Sequence, residues 1–152
     1  MRVEQMKWKD KILGIAEKLH CTLEVFSEKE GEALRTSIRE KFVDPLHSGW
    51  EEKLNGGNFL WDRVDSVSYT GEDWSWIDVF TGKEDVILFF EKYRDTNFYR
   101  FSSGMSVCEF LDEFSIDEFY LTNSRAEYLI FTTDFGELHA SGKAAQWLEE
   151  NV

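Results

Sequence analysis

Tyr128-Leu129-Ile130-Phe131-Thr132-Thr133-Asp134-Phe135-Gly136-Glu137-Leu138-His139-Ala140-Ser141 sets the class of the whole chain. Two runs rich in apolar and aromatic side chains flank a short triplet that ends in glycine. Tyr128–Thr133 reads as a strand and Glu137–Ser141 as its return. Asp134-Phe135-Gly136 reads as a three-residue hairpin loop, with glycine where a left-handed backbone is wanted. A connection this short makes the two strands antiparallel neighbours.

The same grammar recurs upstream. Glu118–Thr122 is a strand joined to Tyr128 through the polar turn Asn123-Ser124-Arg125-Ala126. Val86–Glu91 and Phe98–Ser102 are strands, and the Arg94–Asn97 link between them is short enough for a hairpin. Met105–Phe114 changes period and reads as a helix, with Val107, Phe110, Leu111 and Phe114 on one face. Residues 143–150 close the chain as a helix, Ser141 its candidate cap and Ala144, Trp147 and Leu148 facing inward.

The first third is helical in pattern. Trp8, Ile12, Ile15 and Leu19 form an apolar stripe over residues 3–20. A second helix is predicted over 28–43. Ser27 and Glu30 form a capping box, Leu34, Ile38 and Phe42 mark the buried side, and Asp44-Pro45 ends it. A short helical turn at 50–54 precedes the loop Asn55-Gly56-Gly57. Phe59 to Tyr69 carries a weak strand signal at Val64, Val67 and Tyr69. After the turn Gly71-Glu72-Asp73, the segment Trp74-Ser75-Trp76-Ile77 reads as extended, with both indoles on one side. The expected architecture is therefore α+β: N-terminal helices packed over one face of a mainly antiparallel sheet, a helix inserted between strands, and a C-terminal helix. A single domain, 1–152, is expected at this length.

The charge is unevenly placed. Residues 1–50 hold 9 acidic and 9 basic side chains, whereas residues 51–152 hold 21 and 8, so the whole net charge of −13 lies in the second part. Such a field is prepared for a positive partner. It opposes nucleic acid, whose phosphates require Lys and Arg, and it opposes a negative membrane surface. The longest apolar run, Val86-Ile87-Leu88-Phe89-Phe90, is too short to cross a bilayer. The first residues are charged where a secretory segment would be apolar. The two cysteines, Cys21 and Cys108, are unpatterned, and reduced thiols in a cytoplasmic protein are expected. The three histidines share no ligand spacing with them, so neither a metal nor a cofactor is expected.

Two groups of residues invite a chemical reading. Glu137, His139 and Ser141 alternate onto one face of the last strand, a carboxylate, an imidazole and a hydroxyl in line. Their spacing of about 6.6 Å along a strand exceeds hydrogen-bond reach. A polar strand face is therefore the reading adopted, and no catalytic residue is assigned. The second group is the acidic, aromatic segment Asp62–Asp85, with 7 acidic and 2 basic residues. Tyr69, Glu72, Asp73, Trp74, Trp76 and Asp78 are the expected contact residues there, since aromatic side chains supply contact area and charge steers the encounter. A further run, Glu109 to Glu118, carries five carboxylates, and no Lys or Arg lies between Arg100 and Arg125.

Trp74-Ser75-Trp76-Ile77, Val86-Ile87-Leu88-Phe89-Phe90-Glu91, Phe98-Tyr99-Arg100-Phe101, Asp117-Glu118-Phe119-Tyr120-Leu121-Thr122 and Tyr128-Leu129-Ile130-Phe131-Thr132 follow one another in an order that resembles a family of small, uncharacterised bacterial proteins, over about residues 70–142. Such families are similar to the immunity proteins of bacterial toxin systems. The family's usual hairpin carries a polar Asn-His-His-type turn, and this chain has Thr132-Thr133-Asp134-Phe135-Gly136 there. The resemblance implies an inhibitor of a basic toxin and transfers no catalytic residue. The leading expectation is an acidic module that binds a basic protein. A small hydrolase using Glu137 and His139, and a self-associating structural protein, are the alternatives.

Overall fold

The computed structural model describes residues 3–42, 66–69, 75–91, 94–114, 118–132 and 137–151, with side chains from Trp8 onward. The order is α1 (Val3–Lys18), β1 (Leu23–Val25), α2 (Glu28–Phe42), β2 (Val67–Tyr69), α3 (Trp76–Thr81), β3 (Val86–Phe89), β4 (Tyr99–Phe101), α4 (Gly104–Phe114), β5 (Tyr120–Thr122), β6 (Tyr128–Thr132), β7 (Leu138–Gly142) and α5 (Lys143–Asn151). The fold is α+β, and the seven strands form one sheet in the order β1-β4-β3-β5-β6-β7-β2. Every neighbouring pair in it is antiparallel.

The central strands explain the composition. Val86, Leu88 and Phe90 enter one core cluster, with Tyr99, Phe101, Phe119, Leu121 and Ile130. Ile87 and Phe89 enter a second, with Phe98, Tyr120, Leu129 and Phe131. A strand buried on both faces reads as a continuous apolar run rather than an alternation. The N-terminal helices divide between the faces. Ile12 and Ala16 of α1 join the first cluster with α3, α4 and α5. Leu34 and Ile38 of α2 join the second. The expectation that both helices cover one face is therefore corrected. The cause is β1, a three-residue strand at the sheet edge that the sequence reading missed, which pairs with β4 and stands between the two helices in the chain.

Local chemistry fixes the helix ends. At the start of α2 the Ser27 N–H donates to Glu30 Oε1 at 3.1 Å and the Glu30 N–H to Ser27 Oγ at 3.2 Å, the reciprocal capping box. At the end of α1, His20 adopts φ 60°. The Cys21 N–H donates to Ala16 O at 2.8 Å and the His20 N–H to Glu17 O at 3.1 Å. That is a Schellman closure with histidine in the left-handed position usually given to glycine. At the β7–α5 junction Gly142 has φ 67°, and a Cβ there would stand 2.6 Å from Glu127 O. Glycine rather than Ser141 therefore makes that junction, and Ser141 remains in the strand.

The segment around Trp76 is helical rather than extended, because α3 begins at Trp76 and the Asp78 N–H donates to Ser75 O at 3.0 Å. The turn at 50–54, the loop 55–57, Val64, Gly71, Pro45 and the hairpin triplet 134–136 lie outside the described residues. No helix among the described residues is long and apolar enough to cross a membrane.

Candidate functional site

Of the six expected contact residues, Glu72, Asp73 and Trp74 lie outside the described residues. Trp76 is turned inward and only 7% exposed. Its ring stacks on Trp147 at 6.0 Å between centroids and meets half-buried Tyr69 at 5.5 Å. Phe80 completes this group against Trp147 and Tyr128. These aromatic side chains serve the core, so Trp76 offers a partner almost no contact area. Asp78 sits half-buried in the first turn of α3.

Among the described residues, the large exposed apolar side chains lie on α3 and α4. Val79 on α3 is 68% exposed and Met105 on α4 is 57% exposed. The two helices touch closely at Gly104, where a Cβ would stand 2.0 Å from Thr81 Oγ1 and 3.1 Å from Asp78 Cα. Val79 follows Asp78 and Met105 follows Gly104, two residues of that contact. Helix α4 presents Met105, Cys108, Glu109 and Asp112 at helical spacing, opposite its buried Val107, Phe110 and Leu111. The helix is capped by Ser103, whose Oγ accepts from the Ser106 N–H at 3.2 Å. It contains no Lys or Arg. Lys18 of α1 neutralises Glu113 at 3.1 Å. Glu109 and Asp112 have no ion-pair partner among the described residues. Thus α3 and α4 each expose one large apolar side chain, and α4 also exposes Glu109 and Asp112, which lack an ion-pair partner among the described residues.

A second arrangement lies at the other edge region, on the sheet face that α2 covers. Ser68 of β2 is directly opposite His139 of β7, and Phe131 of β6 is its partner on the other side. The imidazole stacks on the Phe131 ring at 5.5 Å and 15°. Ser66 Oγ is 2.9 Å from His139 Nδ1. Glu137 Oε1 is 3.6 Å from His139 Nε2. Two of the three residues singled out on the last strand thus do meet, because side chains lean toward one another more than backbone spacing allows for. The hydroxyl at hydrogen-bond distance is Ser66 rather than Ser141. Ser66 falls where only a weak strand signal was legible, and a contact across 73 residues leaves no local trace.

Two other polar clusters are internal. Asp95 is fully buried and its Oδ2 accepts from the Tyr99 hydroxyl at 2.5 Å, while Oδ1 accepts from the Asn97 N–H and side-chain amide. Burial pushes the Asp95 carboxyl above the usual range, and these hydrogen bonds oppose the shift. Burial and the Asp95 charge likewise push the Tyr99 phenol up. Glu91, also buried, accepts from the Tyr120 hydroxyl. A cleft of ≈ 250 Å³ opens where α3, the β5–β6 turn and the start of α5 meet, with Glu84, Asp85 and Glu127 facing Arg125 and Lys143. Lys143 and Glu127 pair at 2.8 Å across it, and that bond holds the Glu127 carboxyl below its ordinary range. The cleft largely compensates its own charge and selects no ligand sign.

No family model, no curated protein and no solved structure matches this chain.

Proposed function

We propose that this chain is an acidic protein-binding module whose partner presents a basic surface, and that the outer side of α3–α4 is the contact. The observation that carries the reading is the exposure of Val79 and of Met105, the latter on the α4 face that also carries exposed Glu109 and Asp112. Exposed carboxylates steer a cationic surface toward them, and exposed apolar side chains supply area that water leaves on contact. The resemblance to immunity proteins makes a basic bacterial toxin the partner class. Relative to the expectation from sequence, Val79 and Met105 take the place of the buried Trp76 as apolar anchors, Asp78 stays on the same helix, and Glu72, Asp73 and Trp74 lie outside the described residues.

The test uses the protein that co-purifies with this chain from its native cell, then purified association kinetics. Reversing Glu109 and Asp112 to lysine slows association at low salt by about 10-fold or more and flattens its salt dependence. Exposed charges act over about 8 Å at physiological salt, so the effect fades as salt rises. Met105→Ala speeds dissociation instead. An unchanged association rate for the double lysine variant at low salt refutes the assignment of this surface.

A further inference from the structure

The Ser66–His139–Glu137 arrangement lies on the sheet face opposite α3–α4, and the binding reading makes no use of it. Ser66 and His139 are matched as donor and acceptor. With the hydrogen on Nε2, the neutral imidazole accepts the Ser66 hydroxyl proton at Nδ1 over 2.9 Å and directs Nε2–H toward Glu137 Oε1 over 3.6 Å. That tautomer is assigned from the two contacts. Nε2 is shut off from solvent without a hydrogen-bond partner among the described residues. Stacking on Phe131 holds the ring in plane for both contacts. Ser66 itself is exposed.

We propose that Ser66 is a nucleophile, His139 its general base and Glu137 a positioning residue, together forming an acyl-transfer site that takes small esters at the β2–β7 edge. Ser66 Oγ attacks the ester carbonyl carbon as its proton passes to His139 Nδ1. The carbon–alkoxide bond then breaks, and the leaving oxygen takes the proton from Nδ1–H, releasing the alcohol. Water attacks the acyl-Ser66 carbonyl, giving its proton to Nδ1. The Ser66 oxygen leaves and recovers that proton, and the carboxylic acid departs.

The experiment treats the full chain with p-nitrophenyl acetate, follows p-nitrophenol release, and locates the acetyl group by peptide mass spectrometry. The expected result is one acetyl group on Ser66 of the wild-type chain. Release is expected to fall by about 100-fold or more in His139→Gln. Ser66→Ala, an exposed change checked by near-ultraviolet circular dichroism, takes up no acetyl at that peptide. Glu137→Gln lowers kcat with KM unchanged, and Glu137→Asp restores part of it. Acetylation confined to lysines, or Ser66 labelling as fast in folded His139→Gln as in wild type, overturns the proposal. The localisation is read on the wild-type chain and does not depend on any variant folding.

Discussion

Gly104→Ala is a one-methyl change at the contact on which the α3–α4 surface depends. The added Cβ meets Thr81 Oγ1 at 2.0 Å, Asp78 Cα at 3.1 Å and Ile77 O at 3.3 Å. Thr81 is buried and its hydroxyl donates to Ile77 O at 2.8 Å, so it has no vacant rotamer to retreat into without giving up that bond. Overpacking of a well-filled site costs about 1–3 kcal/mol. Loss of the hydroxyl bond adds about 0.5–1.5 kcal/mol. Alanine returns up to about 1 kcal/mol over glycine inside a helix, and less at its first residue. The net expectation is destabilisation by about 2 kcal/mol, which for a chain of this size lowers Tm by roughly 4–8 °C. Urea unfolding followed by tryptophan fluorescence measures it. The diagnostic arm is the cycle with Thr81→Ala. Removing Oγ1 relieves the worst clash, so the double variant is more stable than the sum of the singles by about 1 kcal/mol or more. A Gly104→Ala cost below about 0.5 kcal/mol, or strict additivity in the cycle, refutes the packing argument.

Ser27→Ala removes one half of the capping box and is expected to cost about 1 kcal/mol in urea unfolding. Asp95 gives a pH signature. Its folded pKa lies above the unfolded value of 3.8, so its contribution is fully present below 3.8 and is lost as pH rises through the native value. The stability of the wild type relative to Asp95→Asn is therefore greater near pH 4 than near pH 7, read by thermal unfolding across that range. Glu30 and Glu127, whose carboxyls are held low, act with the opposite sign and lose their contribution as pH falls.

The strands after residue 85 were legible because β3, β5 and β6 are buried on both faces. Val86-Ile87-Leu88-Phe89-Phe90 has no polar interruption, and the neighbouring β4, β5 and β6 carry the same apolar density. The capping box at Ser27 was legible because its two bonds span three residues. β1 was missed because three residues give no period to read, and its stability comes from pairing with β4 across 76 residues. The Trp74–Ile77 segment misled because two aromatic residues at a spacing of two mimic a strand. The helix that begins at Trp76 is only 6 residues long and takes its order from packing under Trp147. For the candidate sites, the carboxylates of α4 could be read directly, whereas the exposure of Val79 and Met105 depends on which helix faces meet. The Ser66–His139 contact depends on sheet register, which no local pattern encodes.

The order of strands also says when the sheet can be completed. Both outer strands, β1 and β2, come from the first 69 residues, and the five between them come from residues 86–142. During synthesis the outer strands leave the ribosome before any strand they pair with exists. β1 waits for β4, and β2 waits for β7, the last strand of all. Contacts this far apart in sequence slow folding, because loop closure must precede the reward. The first helices therefore spend the period of translation with their apolar stripes unmatched. A nascent chain stalled before residue 138 has β6 as an open edge, which a second stalled copy can pair with.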